Sequence, residues 1–171
     1  MIHTARQSLL ALAAGVSIAL CAGAVSAVAD PAMSAAQPIA QGVVRVASAY
    51  GFDETVTRLR ADIAAKGIRF FTEIDQQDLA RGANIDLRPS KLLLFGNPPL
   101  GAQFLTSNPY AGLDWPVRIL VTEDAAGKVW VAYTDFDYMA ARYDIEDRPA
   151  QVKMASEVAG SIAGSVTAKG D

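Results

Sequence analysis

Apolar residues along the chain follow two periods, and their order predicts the fold class. A spacing of three to four residues places Val56, Leu59 and Ile63 on one face of a helix, with Asp53 as its predicted cap. Apolar and polar residues then alternate over residues 68–75, which predicts a strand with one wetter face. The chain therefore contains both helices and strands.

The other elements follow from apolar runs and from residues that typically begin or end helices. Gly67 is the predicted stop of the first helix, and Asn97 and Asp135 are predicted helix caps. Two β-rich runs, 116–122 and 128–134, flank a polar segment with a glycine and predict a hairpin. In chain order, the predicted elements are a strand at 43–48, a helix at 53–66, a strand at 68–75, a short helix or turn at 77–82, a strand at 91–95, a short helix after Asn97, the hairpin strands, a helix after Asp135 and a last helix from Pro149 to about Ala168.

This order predicts an α+β fold in a single domain, with an antiparallel sheet and helices on one face. The core order is strand, helix, four strands, helix, and an extra C-terminal helix follows. Residues 30–40 are Ala, Ser, Gln and Pro without periodicity and predict a flexible tether. The α+β domain is then assigned to residues 41–147 and the C-terminal helix to 148–171.

The N-terminal residues 1–29 have the pattern of a secretory signal peptide. An apolar core at Leu9–Leu20 follows a short positive region, and Ala27-Val28-Ala29 supplies small residues for cleavage, with Val25-Ser26-Ala27 as an alternative. A lipid anchor on Cys21 would need a small residue before the cysteine, where Leu20 stands, and an uncleaved anchor is a further alternative. We therefore predict a periplasmic or secreted protein.

Cleavage of residues 1–29 would limit which catalytic and metal-binding residue types the mature chain contains. The 142 residues left after Ala29 contain no His and no Cys and carry a net charge of −4. Without His and Cys, the mature chain lacks residues that several kinds of protein require. These are disulfide scaffolds, thiol oxidoreductases, enzymes with His-based catalytic triads, ordinary zinc sites and His-ligated haem proteins. The scattered basic residues argue against nucleic acid as a partner, and the mature chain has no predicted integral membrane segment.

Several spaced segments carry a family resemblance. Residues 87–98, Leu113-Asp114-Trp115-Pro116 and residues 129–133 together resemble the domain-of-unknown-function 302 family over roughly residues 41–147. The resemblance implies a TATA-binding-protein-like α+β fold, often homodimeric, and no established activity. Members of the family often carry a His in the acidic segment after an Ile-Asp pair, which is Ile74-Asp75 here, and another His beside the Arg of the later helix. In this chain, residues 75–78 and Arg142-Tyr143 occupy those positions and include no His. A metal or acid–base role for those positions is therefore not expected here.

Three loop residues are the candidate ligand-binding residues: Arg88, Asn97 and Asp114. Each lies beside a predicted strand end, where loops commonly carry function. Arg88 and Asp114 have a structural alternative, a clasp between the loops that flank two strands. Asn97 also has a structural alternative, because it can cap the helix that begins at this sharp corner. The two prolines of the corner lack the N–H groups that a phosphate cradle would need.

Other polar pairs favour structural roles. Asp135 and Asp137 resemble a cation site, but helix capping explains both. Ser90 and Lys91 are neighbours in a strand and should point to opposite faces, which disfavours a catalytic pair. We predict no metal and no cofactor.

Three functions are compatible with these features. The first is an exported module, homodimeric according to the resemblance, that binds a small molecule or a partner protein. The second is a metal-independent enzyme that uses carboxylate and Arg groups around Arg88, Asn97 and Asp114, which would require an isolated carboxylate in an apolar pocket. The third is an envelope structural protein that docks through the stripe of apolar and small residues on the C-terminal helix, with a broad exposed apolar patch.

Overall fold

A six-stranded antiparallel sheet organises the computed structural model, which describes residues 37–167. The strand order is β1-β2-β6-β5-β4-β3. The predicted signal peptide and its predicted cleavage site lie outside the described residues. The elements are β1 Gln37–Ala40, β2 Val43–Ala47, α1 Phe52–Ala65, β3 Arg69–Asp75, α2 Gln76–Gly82, β4 Ser90–Gly96, α3 Pro98–Ser107, a 3₁₀ helix Pro109–Leu113, β5 Val117–Glu123, β6 Val129–Thr134, α4 Phe136–Arg142 and α5 Pro149–Gly164.

The α+β class and the helices on one face of the sheet are confirmed. One core cluster joins α1 and α5 to the sheet and includes the fully buried Leu59, Ile119 and Ile162. A second cluster joins α3, α4 and α5 through residues such as Phe104 and Met139. Burial of these side chains is the main stabilisation of the fold.

The predicted tether over residues 30–40 is wrong in its last four residues. Gln37–Ala40 form β1 and pair antiparallel with β2. The sequence shows no alternation there, but the open edge of β2 offers backbone hydrogen-bonding groups that an extended segment satisfies. Pro38 is compatible with an edge strand, because its missing N–H removes no bond from a central ladder.

The start of α1 also differs from the prediction. Gly51 is the N-cap and Asp53 lies in the first turn, so Asp53 is not the cap. A carboxylate there still favours the helix, because it faces the positive end of the helix dipole. The predicted end is confirmed, since Gly67 follows the C-cap with a φ of +65°, which favours glycine.

A β-bulge in β3 reverses the predicted alternation. Phe70 pairs with the buried Phe95, but Phe71 is an extra residue, and the register resumes with Thr72. From there Glu73 shares the helix-covered side with Leu93, and Ile74 lies on the other side, 38% exposed. The predicted strand is confirmed. The prediction that Thr72 and Ile74 lie on its less exposed face is wrong, because both lie on the side opposite Leu93.

The side of the sheet without α1, α3, α4 and α5 is called the uncovered face below. At one corner of this face, the Ser90 hydroxyl donates to Gln76 Oε1 of α2 at 2.7 Å. Strand registers and alternation place its members as follows: Val43, Arg45 and Ala47 on β2; Arg69, Thr72 and Ile74 on β3; Ser90, Leu92 and Leu94 on β4; Arg118, Leu120 and Thr122 on β5; Trp130, Ala132 and Thr134 on β6.

The C-terminal helix packs on the sheet. It ends at Gly164, four residues before the predicted end. A Cβ added at Gly160 would lie 3.6 Å from the Tyr133 hydroxyl, so this face of α5 lies close to β6. Val166 is fully buried, and its carbonyl accepts a hydrogen bond from the Ala49 N–H at 2.8 Å.

Candidate functional site

The predicted clasp between Arg88 and Asp114 does not form. Strands β4 and β5 run antiparallel, with Ser90 opposite Thr122 and Phe95 opposite Val117. The segment that leads into β4 therefore lies beside the end of β5, and Arg88 Nε donates to the Glu123 carbonyl at 3.3 Å. Asp114 precedes β5 and lies at the opposite end of the sheet, roughly 20 Å away at ~3.3 Å per strand residue.

Asp114 instead joins three elements at that end. It follows the 3₁₀ helix, and its side chain is only 8% exposed. Its carboxylate accepts hydrogen bonds from Arg118 of β5, from Arg142 Nη1 at 3.2 Å and from the Tyr143 hydroxyl at 2.7 Å. Two guanidinium groups therefore share one carboxylate, which leaves one positive charge in excess.

The hydrogen bond to Asp114 raises the pKa of Tyr143 above its usual value of 10.0, because it stabilises the protonated phenol. Desolvation by burial acts in the same direction. Asp114 is thus a fully partnered carboxylate and not the isolated acid that the enzyme hypothesis requires.

Asn97 lies at the same end as Asp114, at the corner between β4 and α3. Its Oδ1 accepts the Leu100 N–H at 3.2 Å, which confirms the predicted cap. A Cβ added at Gly101 would fall 2.0 Å from Trp115 Nε1, so the corner packs directly against the residue after Asp114. Two of the three candidate residues are therefore brought to one end of the sheet, and Arg88 is not.

The remaining polar pairs have structural partners. Asp135 Oδ1 accepts the N–H groups of Asp137 and Tyr138, which confirms it as the cap of α4. Lys91 Nζ lies 3.6 Å from Glu73 Oε1 and 3.5 Å from Asp75 Oδ2. The Ser90 hydroxyl lies on the opposite side of the sheet and donates to Gln76 Oε1. Among residues 37–167, no three His, Cys, Asp or Glu side chains come together as a metal site.

The uncovered face contains a depression that sequence reasoning missed. It has a volume of about 310 Å³, and Val43, Leu92, Leu120 and Ala132 form its apolar floor. Arg118 and Thr134 also line it. The available signal was the alternation in β4, β5 and β6, which leaves a second set of apolar residues pointing away from the core.

Charges are sorted between the two sides of the sheet. Within β1–β6, every carboxylate belongs to Glu73, Asp75 or Glu123, and the register places all three on the helix-covered side. Three of the four basic strand residues, Arg45, Arg69 and Arg118, lie on the uncovered face. The uncovered face therefore combines an apolar floor with positive charge.

Arg45 has an unusual environment on this face. Its guanidinium carbon lies 3.8 Å from the centroid of the Trp130 ring. Its Nε is buried and has no hydrogen-bond acceptor among the described residues. Trp130 Nε1 donates to Asp124 at 2.8 Å, and this hydrogen bond lowers the pKa of Asp124. A buried donor without an acceptor leaves hydrogen-bonding capacity unused, and the guanidinium adds a positive charge to this face.

Comparison with known proteins gives a family. A family model described as "Domain of unknown function DUF302" matches residues 44–166. The crystal structure of a DUF302 protein from Bacillus stearothermophilus superposes with a TM-score of 0.68 and 16% identity, covering 74% of this chain and 99% of that one. At this identity the likeness shows the shared fold alone.

Curated relatives are named as ion channels. The chain is 36% identical over 107 residues to Fluoride-specific ion channel FluC 1 of Brucella suis, covering 63% of this chain and 42% of that protein. Fluoride-specific ion channel FluC 2 of Brucella melitensis matches with the same identity, covering 40% of its length. The chain thus spans about two-fifths of the length of these relatives. Residues 37–167 contain no helix with the length and apolar character needed to cross a membrane.

Proposed function

The chain belongs to the DUF302 family, a domain of unknown function, and we propose that it is an exported binding module whose working surface is the uncovered face. The observation that carries the proposal is the depression of about 310 Å³ on an apolar floor with Arg118 at its side. Small-molecule sites are typically concave and mostly apolar, with a few fixed polar groups, and this depression has that composition.

The hydrogen bonds of Asp114, the candidate acid, favour a binding function over a catalytic one. Asp114 is held by two arginines and a tyrosine, so its carboxylate is committed to orienting side chains. A general acid or base needs a proton that it can exchange with a substrate, and an ion-paired carboxylate is poorly suited to that role. The geometry therefore supports recognition rather than proton transfer.

Export rests on the pattern of residues 1–29, with cleavage after Ala29 or Ala27. Intact-mass analysis of the protein from the cell envelope tests this part. A mature chain that starts at Asp30 or Val28 is expected. Retention of residues 1–29, or a lipid on Cys21, would contradict it.

The binding proposal is tested by a thermal-shift screen of the purified protein against small metabolites and metal ions. A ligand of the native state raises the unfolding midpoint by mass action. Chemical-shift mapping of each hit should then place it on the uncovered face, with the largest changes at Leu92, Leu120 and Ala132. Hits that perturb only the helices, or a screen without any hit, would refute a small-molecule role for this face.

A second candidate follows from the channel relatives. We propose that the region they share with this chain is an accessory domain, because the described residues contain no helix suited to a membrane span. The channel would then be built from the remaining three-fifths of those proteins, and a membrane ion channel becomes the partner class for this chain.

Co-expression of the full chain with a FluC-type channel tests this candidate. Affinity purification of the channel should recover the chain, and Leu120→Glu on the uncovered face should reduce recovery. Ser161→Glu, at an exposed position of α5, is the matched control. Failure to recover the wild-type chain would reject the channel as its partner.

A further inference from the structure

We infer that the uncovered face binds a small amphipathic organic anion, whose apolar body lies on the Leu92–Leu120–Ala132 floor and whose anionic group pairs with Arg118. This inference rests on the proposed binding function and names the class of ligand. Three features carry it: the shape of the depression, the distribution of charge and the orientation of Arg118 by Asp114.

The shape of the depression favours a small molecule with an apolar part. Its volume of about 310 Å³ is at the lower end of the range for ligand sites. The strand register aligns Leu92, Leu120 and Ala132 in one row across β4, β5 and β6. An apolar body on this row would remove the side chains from water, which is the main source of affinity for such ligands.

The charge on this face favours an anion. Arg45 lies opposite Ala132 at one side of the floor, and Arg118 lies on β5, about 10 Å away laterally at ~4.8 Å between strands. No strand carboxylate lies on this face, because Glu73, Asp75 and Glu123 point to the helix-covered side. A cation would meet the guanidinium groups of Arg45 and Arg118, whereas two carboxylates beside this face, Asp114 and Asp124, already accept hydrogen bonds from Arg118 and Trp130.

Asp114 orients Arg118 without cancelling the local charge. Its carboxylate is shared between Arg118 and Arg142, so one positive charge remains at this end of the face. A guanidinium has five N–H donors, and the bond to Asp114 uses one nitrogen of Arg118. Arg118 is 38% exposed and can therefore still donate to an anion above the floor.

The same charges disfavour a second copy of this chain on the face. A two-fold interface brings identical patches together, so it would place Arg45, Arg69 and Arg118 of one copy near those of the other. Like charges that approach each other across such an interface oppose the contact. A homodimer, which the family resemblance implies, would then use another surface.

Sodium octanoate is the probe for the first experiment, measured by calorimetry and by methyl chemical shifts of the purified protein. Octanoate should bind about tenfold more tightly than 1-octanol, because a charge-assisted hydrogen bond adds to the same apolar contact. Octylammonium should bind more weakly than 1-octanol. Equal affinity for the three probes would overturn the inference.

Arg118→Gln and Arg142→Gln form a matched pair of variants. Both arginines bond to Asp114, but only Arg118 lines the depression. Arg118→Gln should abolish the preference for octanoate over 1-octanol, and Arg142→Gln should retain most of it. Preference that survives Arg118→Gln would contradict the assigned role of this residue.

Two further variants avoid the Asp114 cluster, in case Arg118→Gln fails to fold. Leu120→Glu places a carboxylate on the floor and should eliminate octanoate binding. Arg45→Gln removes the unsatisfied donor and should weaken octanoate binding while leaving 1-octanol unaffected. If neither variant changes octanoate binding, the inference is wrong.

The outcomes separate this inference from the proposed function. If another screened molecule binds the uncovered face but octanoate does not, the ligand class is wrong and the binding function stands. If the protein binds vesicles of phosphatidylglycerol but not octanoate, the anion is a membrane surface and the small-molecule inference fails. If nothing binds this face, both proposals fail.

Discussion

The two sides of the sheet use the same strands for different purposes. On the helix-covered side, Leu93, Ile119 and Val131 are fully buried under α1 and α5. On the uncovered face, their chain neighbours Leu92 and Leu120 are only half-buried and line a depression. Since alternation gives each strand two faces, one face can supply stability while the other remains available for a ligand.

The electrostatic difference between the two sides supports the same division. On the covered side, Glu73 is paired with Arg60 of α1 at 2.9 Å and with Lys91. On the uncovered face, Arg45 has a buried Nε without an acceptor. Buried polar groups in proteins are generally hydrogen-bonded, so the unsatisfied donor on this side supports the proposal that this side binds a ligand.

The largest expected effect compares truncation on the two sides. Ile119→Ala removes a fully buried side chain and should lower the free energy of unfolding by about 2–5 kcal/mol. Leu120→Ala, one residue away on the uncovered face, should lower it by only about 1 kcal/mol, because part of its apolar surface is already exposed to water. Urea denaturation of both variants measures the difference. Equal losses would mean that the two sides are not distinct.

The next effect compares ionic groups. Asp114→Asn should lower the free energy of unfolding by about 1–2 kcal/mol, because two arginines lose a buried carboxylate but remain partly in water. Glu73→Gln on the covered side should cost less than about 1 kcal/mol, since its pairs are exposed to solvent. Thermal and urea denaturation of the two variants test this order. A larger cost for Glu73→Gln would contradict it.

A smaller effect concerns the pH dependence of Tyr143. Its pKa is raised above 10.0 in the folded protein, so its stabilisation is complete below that pH and is lost as the pH rises through the folded pKa. Tyr143→Phe should therefore destabilise the protein near pH 8, and the gap from the wild type should close above about pH 10. Unfolding curves over this range measure the gap, and a gap independent of pH would argue against the hydrogen bond to Asp114.

The smallest effect is expected on the uncovered face itself. Arg45→Met removes a buried donor without an acceptor and also a contact with Trp130, and these contributions oppose each other. The free energy of unfolding should change by less than about 0.5 kcal/mol. Denaturation of this variant provides the measurement. A loss of more than about 2 kcal/mol would show that Arg45 serves the fold and would weaken its assignment to a ligand.

Local features of this chain were predictable from the sequence. The hairpin of β5 and β6, the caps Asn97 and Asp135 and the glycine stop at Gly67 agree with the structure. Each depends on interactions within a few residues, such as an N-cap side chain that accepts a backbone N–H two or three residues later. The α+β class followed from the order of such elements.

The tertiary structure decided what depends on pairing between distant segments. The antiparallel register of β4 and β5 separated Arg88 from Asp114, and the bulge at Phe71 turned Ile74 away from the core. It also brought Arg118, Arg142 and Tyr143 to one carboxylate, although 28 residues separate Asp114 from Arg142. Residue order specifies which side chains alternate along one strand, whereas strand pairing decides which of them meet, and this is why the depression beside Arg118 was visible only in the folded chain.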